Sequence, residues 1–209
     1  MSNLKNLRFV CTKCGNCCTD KNTLVNLTYL DILRIKNGLN LDINEILEII
    51  GFYIFDKKFS TENEKRLVIN PIETEKGLAF IALLKNSDGD CLFYNSKEKK
   101  CSIYELRPMF CQTFPFSFQM IDINGKEPKV DIFYTEKGKQ YCPGIGNEAP
   151  LVDQCHWVEL GKKTLEDLKI NHNVIKQWNE SVKKGKIKPN AKKFLHTVFK
   201  LEDYIKSSD

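Results

Sequence analysis

Residues 11–18 read CTKCGNCC and hold four of the chain's nine cysteines. A gap of two residues between cysteines lets one tight turn aim both sulfurs at a single metal. The glycine after the second cysteine relieves crowding where the backbone approaches a sulfur. Three cysteines at successive two-residue gaps also match a loop that supplies three ligands to a cubane iron–sulfur cluster. The stretch therefore predicts a metal-binding loop, rather than disulfides or an inert core.

Two of these cysteines, Cys17 and Cys18, are adjacent. Consecutive side chains in an extended backbone point to opposite sides. We therefore expect the two thiols to face different centres, which predicts two metal sites. One site would use Cys11, Cys14 and Cys17 with a distant fourth ligand. The other would use Cys18 with three later cysteines.

Four later cysteines complete a set of eight, at Cys91, Cys101, Cys111 and Cys142. Eight is twice the number that a tetrahedral zinc ion or a cubane cluster takes from protein. The spacing leaves open which later cysteine joins which site. The ninth, Cys155, is expected to be a spare core thiol, although Cys155-His156 offers a substitute ligand.

The composition is that of a globular protein. The chain has 209 residues, 42% of them hydrophobic and 28% charged, and a formal net charge of +5. This length favours one domain with a small appendage. Eight thiolates holding two zinc ions would add −8 and +4, so the basic balance nearly vanishes on metal binding. Nucleic acid is therefore not the favoured partner.

Residues 1–10 contain no apolar run, so no signal peptide is predicted. No stretch approaches the roughly 20 apolar residues of a membrane span. We therefore expect a cytoplasmic protein without a membrane segment. A reducing compartment keeps thiols free for metal.

Two helices are predicted in the N-terminal half. Each opens with a capping box, Thr28 with Asp31 and Asp42 with Glu45, and glycines at positions 38 and 51 are expected to end them. Apolar runs bounded by turn signals predict strands at residues 67–69, 78–84, 114–123 and 130–134. The dipeptide Asn124-Gly125 predicts a hairpin between the last two.

From about residue 150 the pattern is helical. Val174, Ile175, Trp178 and Val182 form one apolar stripe, and Asn190 is expected to cap a last helix. The predicted class is α+β: a small antiparallel sheet with cysteine-rich metal-binding loops, two helices in the N-terminal half and a C-terminal helical segment. The predicted division is a cysteine-cluster domain, residues 1–149, and a helical extension packed on it, residues 150–209.

The cysteine order resembles a known family. The matching residues are Phe9-Val-Cys11-x2-Cys14-Gly15-x-Cys17-Cys18, then Cys91-Leu-Phe, then Cys101-x-Ile-Tyr104-x2-Arg107-Pro108-x2-Cys111-x2-Phe114-Pro115, then Cys142-Pro143-Gly144. They are similar to the YkgJ-type cysteine cluster family of zinc- or iron-chelating CxxCxxCC domains. The resemblance covers about residues 9–146. It implies that eight cysteines chelate iron or zinc, and it does not imply a reaction. The family motif often has Arg after the cysteine matching Cys111, where this chain has Gln112.

Arg107 is the basic residue expected near the sulfurs. A turn or helix from Ile103 would place Arg107 close to Cys101 and Cys111. A guanidinium there can offset the negative charge of a four-thiolate site and donate to sulfur. The alternative role is an ordinary ion pair with a carboxylate.

Known catalytic signatures are absent. The chain has no phosphate-binding G-x-x-x-x-G-K-[ST] loop, no dinucleotide-binding G-x-G-x-x-G and no Cys-x3-Cys-x2-Cys. The third closely spaced cysteine favours one or two [4Fe-4S] clusters over zinc. The favoured function is electron transfer or metal handling with a protein partner. The alternatives are a zinc-binding structural or interaction module and a cluster-dependent redox enzyme.

Overall fold

The computed structural model describes residues 6–54, 67–122 and 128–206, with side chains through Leu201. Within these ranges, six α-helices alternate with seven short β-strands, and the strands form three small antiparallel sheets. The predicted α+β class is confirmed.

The first two helices are α1, Tyr29–Leu39, and α2, Ile43–Leu47. Both predicted capping boxes are present. In the first, the Asp31 backbone N–H donates to the Thr28 hydroxyl at 3.1 Å, and the Asp31 carboxylate accepts from the Thr28 N–H at 2.9 Å. These side chains satisfy backbone donors that the first turn of a helix leaves free.

The predicted end of α1 at Gly38 is wrong. The helix continues to Leu39, and Asn40 closes it with a left-handed φ of 54°. Gly38 instead permits close packing, because a Cβ there would lie 2.5 Å from the Leu106 side chain. A helix glycine can thus mark a contact as well as an end.

The predicted end of α2 at Gly51 is also wrong. The helix stops at Leu47, and Ile50 already begins a strand paired with Leu83. Ile50 is 3% exposed, so its apolar side chain is buried through the sheet rather than through a helical stripe.

The main sheet contains β1, Ile50–Ile54, β2, Ile72–Thr74, and β3, Gly77–Leu83, in the order β1-β3-β2. The strand predicted at 78–84 is confirmed. The strand predicted at 67–69 is wrong, because pairing with β3 begins only at Ile72, after Pro71.

The middle of the chain carries two hairpins separated by short helical turns. The first hairpin pairs β4, Tyr94–Asn95, with β5, Lys100–Cys101. A 3₁₀ turn, Tyr104–Leu106, and helix α3, Met109–Thr113, follow. The second hairpin pairs β6, Phe116–Ile121, with β7, Lys129–Tyr134, as predicted. Its Asn124-Gly125 turn lies outside the described residues.

Three helices complete the described chain: α4, Glu136–Tyr141, α5, Gln154–Lys183, and α6, Ala191–Lys206. The sequence patterns did not predict α4. Asn190 caps α6 as predicted, since its side-chain oxygen accepts from the Lys193 N–H at 2.9 Å. No helix in the described ranges is both long enough and apolar enough to cross a bilayer.

Two hydrophobic clusters hold these elements together. The larger packs α1, α2, the main sheet and α6 around residues such as Ile32, Ile81 and Leu195. The smaller lies under the β6–β7 hairpin. Helix α5 joins them, with Trp157 against the smaller cluster and Trp178 in the larger. The predicted division at residue 150 stays a prediction.

Candidate metal centre

The first cysteine group lies in a tight turn. The backbone N–H groups of Cys18 and Thr19 both donate to the Gly15 carbonyl, at 2.8 and 3.0 Å. Gly15 has a φ of 82°, in the left-handed region that favours glycine. A Cβ there would also lie 2.2 Å from the Tyr94 hydroxyl oxygen. Gly15 therefore permits both the turn and the close approach of a distant strand.

The sulfurs of Cys17 and Cys18 lie 4.0 Å apart. The expectation that these side chains point to opposite sides is wrong, because it assumed extended backbone and the chain turns here. Two thiolates bound tetrahedrally at ~2.3 Å from one zinc ion stand ~3.8 Å apart. The pair can therefore serve one ion or two adjoining centres.

All eight predicted ligands line one cavity of about 460 Å³: Cys11, Cys14, Cys17, Cys18, Cys91, Cys101, Cys111 and Cys142. They come from four separate parts of the chain. Their thiols are free, and the described residues contain no disulfide. The fold thus brings the whole predicted ligand set to one place.

The thiols surround a space rather than a point. In the described ranges, no three Cys, His, Asp or Glu side chains already stand close enough together to hold a single ion. The walls of the cavity mix cysteine with aromatic and aliphatic side chains from both hydrophobic clusters. A donor set made wholly of thiolates suits zinc or iron–sulfur chemistry.

Cys91 lies just before the β4–β5 hairpin, in a bridge with Lys85, and Cys101 lies in its second strand. The Cys91 N–H donates to the Cys18 carbonyl at 2.8 Å, which joins this hairpin to the first loop. Cys101 pairs with Tyr94, the residue that packs over Gly15. Both cysteines also pack against the larger hydrophobic cluster.

Cys111 is placed by α3, whose first residue is held by a buried carboxylate. Asp31, 1% exposed, accepts from the Met109 N–H at 2.8 Å and from the Arg34 guanidinium at 2.5 Å. Arg34 also donates to the Arg107 carbonyl at 2.9 Å. A single network therefore connects the start of α1 to the segment that carries Cys111.

Cys142 directly follows α4, and α4 is bound to the first loop. Asp20 accepts hydrogen bonds from Lys137 at 2.8 Å and from the Tyr141 hydroxyl at 3.1 Å. The Asn16 side chain donates to the Tyr141 carbonyl at 3.0 Å. These contacts bring Cys142 to the first cysteine group.

Arg107 lines the cavity, as its predicted role requires. Its guanidinium lies 3.6 Å from the centroid of the Tyr104 ring, and its Nε donates to the Tyr104 carbonyl at 2.8 Å. From this position its charge acts on the Cys17 and Cys101 thiols. Its role beside a bound metal stays a prediction.

The thiols differ in acidity. A hydrogen bond from the Cys18 thiol, aided by the Arg107 charge, lowers the pKa of Cys17 to about 7. The same hydrogen bond raises the pKa of Cys18. Burial raises the pKa of four other thiols, those of Cys91, Cys101, Cys111 and Cys142. These five thiols with raised pKa are protonated near neutral pH until a metal displaces the proton.

The sequence patterns missed two residues of the cavity wall, His156 and Trp157. Their rings meet edge to face, with centroids 5.7 Å apart, at the start of α5. The one sequence signal for His156 was its position next to Cys155, which predicted the pair only as a substitute metal ligand. The expectation that Cys155 is a core thiol is wrong: it is exposed and does not line the cavity.

Comparison with known families supports this assignment of the cysteines. Residues 10–143 match the CxxCxxCC family, described as a "putative zinc- or iron-chelating domain". The chain belongs to this family. The matched region, residues 10–143, contains all eight cysteines that line the cavity, and the family's description supports metal binding by this domain.

One relative is the uncharacterized protein MJ0661 of Methanocaldococcus jannaschii, 27% identical over 143 residues. The match covers 68% of this chain and 60% of the relative, so the chain spans less than two thirds of that protein's length. No solved structure matches the chain.

Proposed function

We propose that the eight cysteines hold iron–sulfur, as one or two [4Fe-4S] clusters. The observation that carries this proposal is that all eight cysteines line one cavity of about 460 Å³. A tetrahedral zinc site needs its four sulfurs packed against one ion. A cubane cluster is bulkier and takes four cysteines around its outside, which suits thiols spread along the walls of a cavity.

The proposed role is electron transfer or metal handling with a protein partner. An iron–sulfur cluster supplies one-electron chemistry, with a potential set by nearby charge, hydrogen bonds and exposure to water. Arg107 provides positive charge at the cavity wall, and three of the eight cysteine residues are exposed, Cys11, Cys14 and Cys17. Exposure shortens the path to a partner. A reducing cytoplasm would keep all nine thiols free.

The partner proposed here presents an acidic surface. Three exposed lysines line the cavity: Lys13 and Lys99, and Lys100, which is ion-paired with Glu98. Positive charge around a redox centre steers an acidic protein toward it and raises the association rate. Binding to such a partner is expected to weaken as salt is raised.

Zinc is the second candidate, because the Cys17–Cys18 sulfur separation of 4.0 Å nearly equals that of two thiolates on one zinc ion. The metal would then have a structural role. Metals would hold the loops together for binding a protein, without electron transfer.

Anaerobic purification distinguishes the two candidates. We expect a brown protein with broad absorbance around 400 nm, iron and acid-labile sulfide in equal amounts, and a spin-resonance signal after reduction. A colourless protein with stoichiometric zinc would overturn the iron–sulfur proposal. Cys111→Ser should lose metal, whereas Cys155→Ser should not, because Cys155 lies outside the cavity.

A further inference from the structure

We infer that the cysteines form two unequal centres, each with four ligands. The outer set is Cys11, Cys14, Cys17 and Cys142, and the inner set is Cys18, Cys91, Cys101 and Cys111. The inference rests on the proposed binding of metal by these thiols. It goes further by assigning each cysteine to one of the two centres. It also identifies the outer centre as the one whose metal exchanges with solvent.

The outer set is defined by two backbone contacts that enclose Cys142. On one side, the carbonyl of Tyr141 accepts from the Asn16 side chain. On the other, the Val10 N–H donates to the Gly144 carbonyl at 3.1 Å. A Cβ at Gly144 would lie 2.2 Å from the Val10 carbonyl oxygen, so only glycine allows this approach. Cys142 therefore sits against residues 10–16, where the outer cysteines begin.

The electrostatic neighbours of Cys142 agree with this placement. Besides its burial, the charges that act on its thiol belong to Cys14, Cys17 and Cys11. These are the three other members of the outer set. The outer set therefore takes three ligands from the CxxCxxC loop and its fourth, Cys142, from a distant segment.

The inner set is defined by the contact of the β4–β5 hairpin with Cys18. The Cys91 N–H donates to the Cys18 carbonyl, and the Ser102 N–H donates to the Phe93 carbonyl at 2.8 Å. The first contact brings Cys91 to Cys18, and the second closes the hairpin so that Cys101 returns beside Cys91. Cys111 lines the same cavity beside this hairpin, and the charges of Cys17, Cys91 and Cys101 act on its thiol.

Cys17 and Cys18 form the junction between the two centres. Their sulfurs are 4.0 Å apart, although the two residues belong to different sets. Cys17 also acts electrostatically on all four inner thiols and on the outer thiol of Cys142. Its exposure matches that of Cys11 and Cys14, and the spacing of three cysteines in one loop assigns it to the outer set.

The two centres differ in their surroundings. Three of the four outer cysteine residues are exposed, whereas Cys142 and all four inner cysteines are half-buried. Inner-set Cys91 and Cys101 pack against the larger hydrophobic cluster, and Cys111 is connected to α1 through Asp31. Metal at the inner centre thus stabilises the fold, and metal at the outer centre is open to chelators and partners.

The first test uses single substitutions in the full chain, reconstituted separately with Zn²⁺ and with Fe²⁺ plus sulfide. Cys142→Ser should remove about half of the bound metal and leave the melting temperature nearly unchanged. Cys111→Ser should remove the other half and lower the melting temperature. The double variant Cys11→Ser/Cys142→Ser should match Cys142→Ser alone, because both cysteines belong to one centre. Cys155→Ser is the matched control.

The second test keeps the wild-type chain, so it does not depend on a variant folding. A thiol-alkylating reagent is added with a chelator to the metal-loaded protein, and mass spectrometry follows each cysteine. We expect the four outer cysteines to be modified as one group, at least about tenfold faster than the inner four.

Two results would overturn the inference. One is loss of all bound metal in both Cys142→Ser and Cys111→Ser, which indicates a single shared centre. The other is modification of all eight cysteines at one rate. If wild-type protein binds neither zinc nor an iron–sulfur cluster, the proposed function itself fails, which is a separate outcome.

Discussion

The backbone N–H of Met109 donates a 2.8 Å hydrogen bond to the carboxylate of Asp31, which is 1% exposed. The two residues are 78 positions apart in the chain. Burial raises the pKa of Asp31, and this effect is opposed by the donors of Thr28, Arg34 and Met109. The carboxylate therefore connects the cap of α1 to the helix that carries Cys111.

Asp31→Asn should destabilise the protein by about 2–4 kcal/mol, because it removes a charged partner from buried donors. Chemical denaturation of the metal-loaded protein measures the change. Glu180→Gln is the control, since Glu180 and Lys184 form an exposed pair on a helix and should contribute under about 1 kcal/mol. Equal effects of the two substitutions would contradict a special role for Asp31.

Gly15→Ala should reduce metal binding as well as stability. The alanine would adopt an unfavourable φ and its Cβ would collide with Tyr94. Gly185→Ala is a matched control, since Gly185 has a similar φ of 70° and nothing within 4 Å of the Cβ position. It should cost about 1 kcal/mol from the backbone alone. Metal content and denaturation midpoints of the two variants provide the comparison, and equal losses would exclude a contribution from Tyr94.

Arg107→Gln should weaken metal binding by about 10–100-fold, the usual range for groups that support metal ligands. The guanidinium acts on the Cys17 and Cys101 thiols and favours their charged forms. Competition with a chromophoric chelator measures the affinity. Lys76→Gln removes the same charge at an exposed position away from the cavity and should leave the affinity unchanged. Equal affinity of wild type and Arg107→Gln would restrict Arg107 to a packing role.

Metal binding should release protons. Five of the eight thiols have a raised pKa and are protonated at pH 7, and each must become a thiolate to bind metal. Full loading at pH 7 should therefore release at least about five protons, plus a fraction from Cys17. Calorimetry in buffers of different ionisation enthalpy counts them. Metal affinity should rise with pH, and a pH-independent affinity would contradict these pKa directions.

Asp20 should contribute a pH-dependent part of the stability. Hydrogen bonds from Lys137, Thr23 and Tyr141 hold the pKa of Asp20 well below its usual range. A lowered folded-state pKa stabilises the protein above the unfolded value of about 3.9, and this contribution is lost as pH falls through the folded-state pKa. Asp20→Asn should thus be less stable than wild type at pH 7, and the difference should close in acid.

Denaturation of the metal-free proteins across pH 7 to strongly acidic conditions tests this point without interference from metal loss. Asp88→Asn, at an exposed turn, is the control and should follow the wild-type curve. A constant stability difference between Asp20→Asn and wild type at every pH would contradict the ionic contribution.

Local chemistry accounts for the features that sequence reasoning predicted well. The capping boxes at Thr28 and Asp42, and the cap at Asn190, involve groups three residues apart or fewer. The β6–β7 hairpin follows from apolar residues that alternate along two neighbouring strands. Such contacts depend on the neighbouring sequence alone, so they can be predicted without the rest of the fold.

Features that depend on distant partners were missed or misplaced. The local pattern predicts a helix end at Gly38, because its contact with Leu106 lies 68 positions away in the chain and leaves no local signal. The predicted end of α2 at Gly51 would put Ile50 in a helix, but pairing with Leu83 places it in a strand. The position of His156 next to Cys155 did not predict its place in the cavity wall, because its helix meets the cavity only through tertiary packing.

The amino-acid sequence by itself determined the candidate ligands, eight cysteines in a spacing that suits soft metals, and membership in the CxxCxxCC family. Only the tertiary structure decided that these thiols surround one cavity, that the Cys17 and Cys18 sulfurs lie side by side, and which segments meet. The physical reason is that ligand type is a property of each side chain. Convergence instead depends on hydrogen bonds such as Met109–Asp31 and Cys91–Cys18, which join residues far apart in the chain.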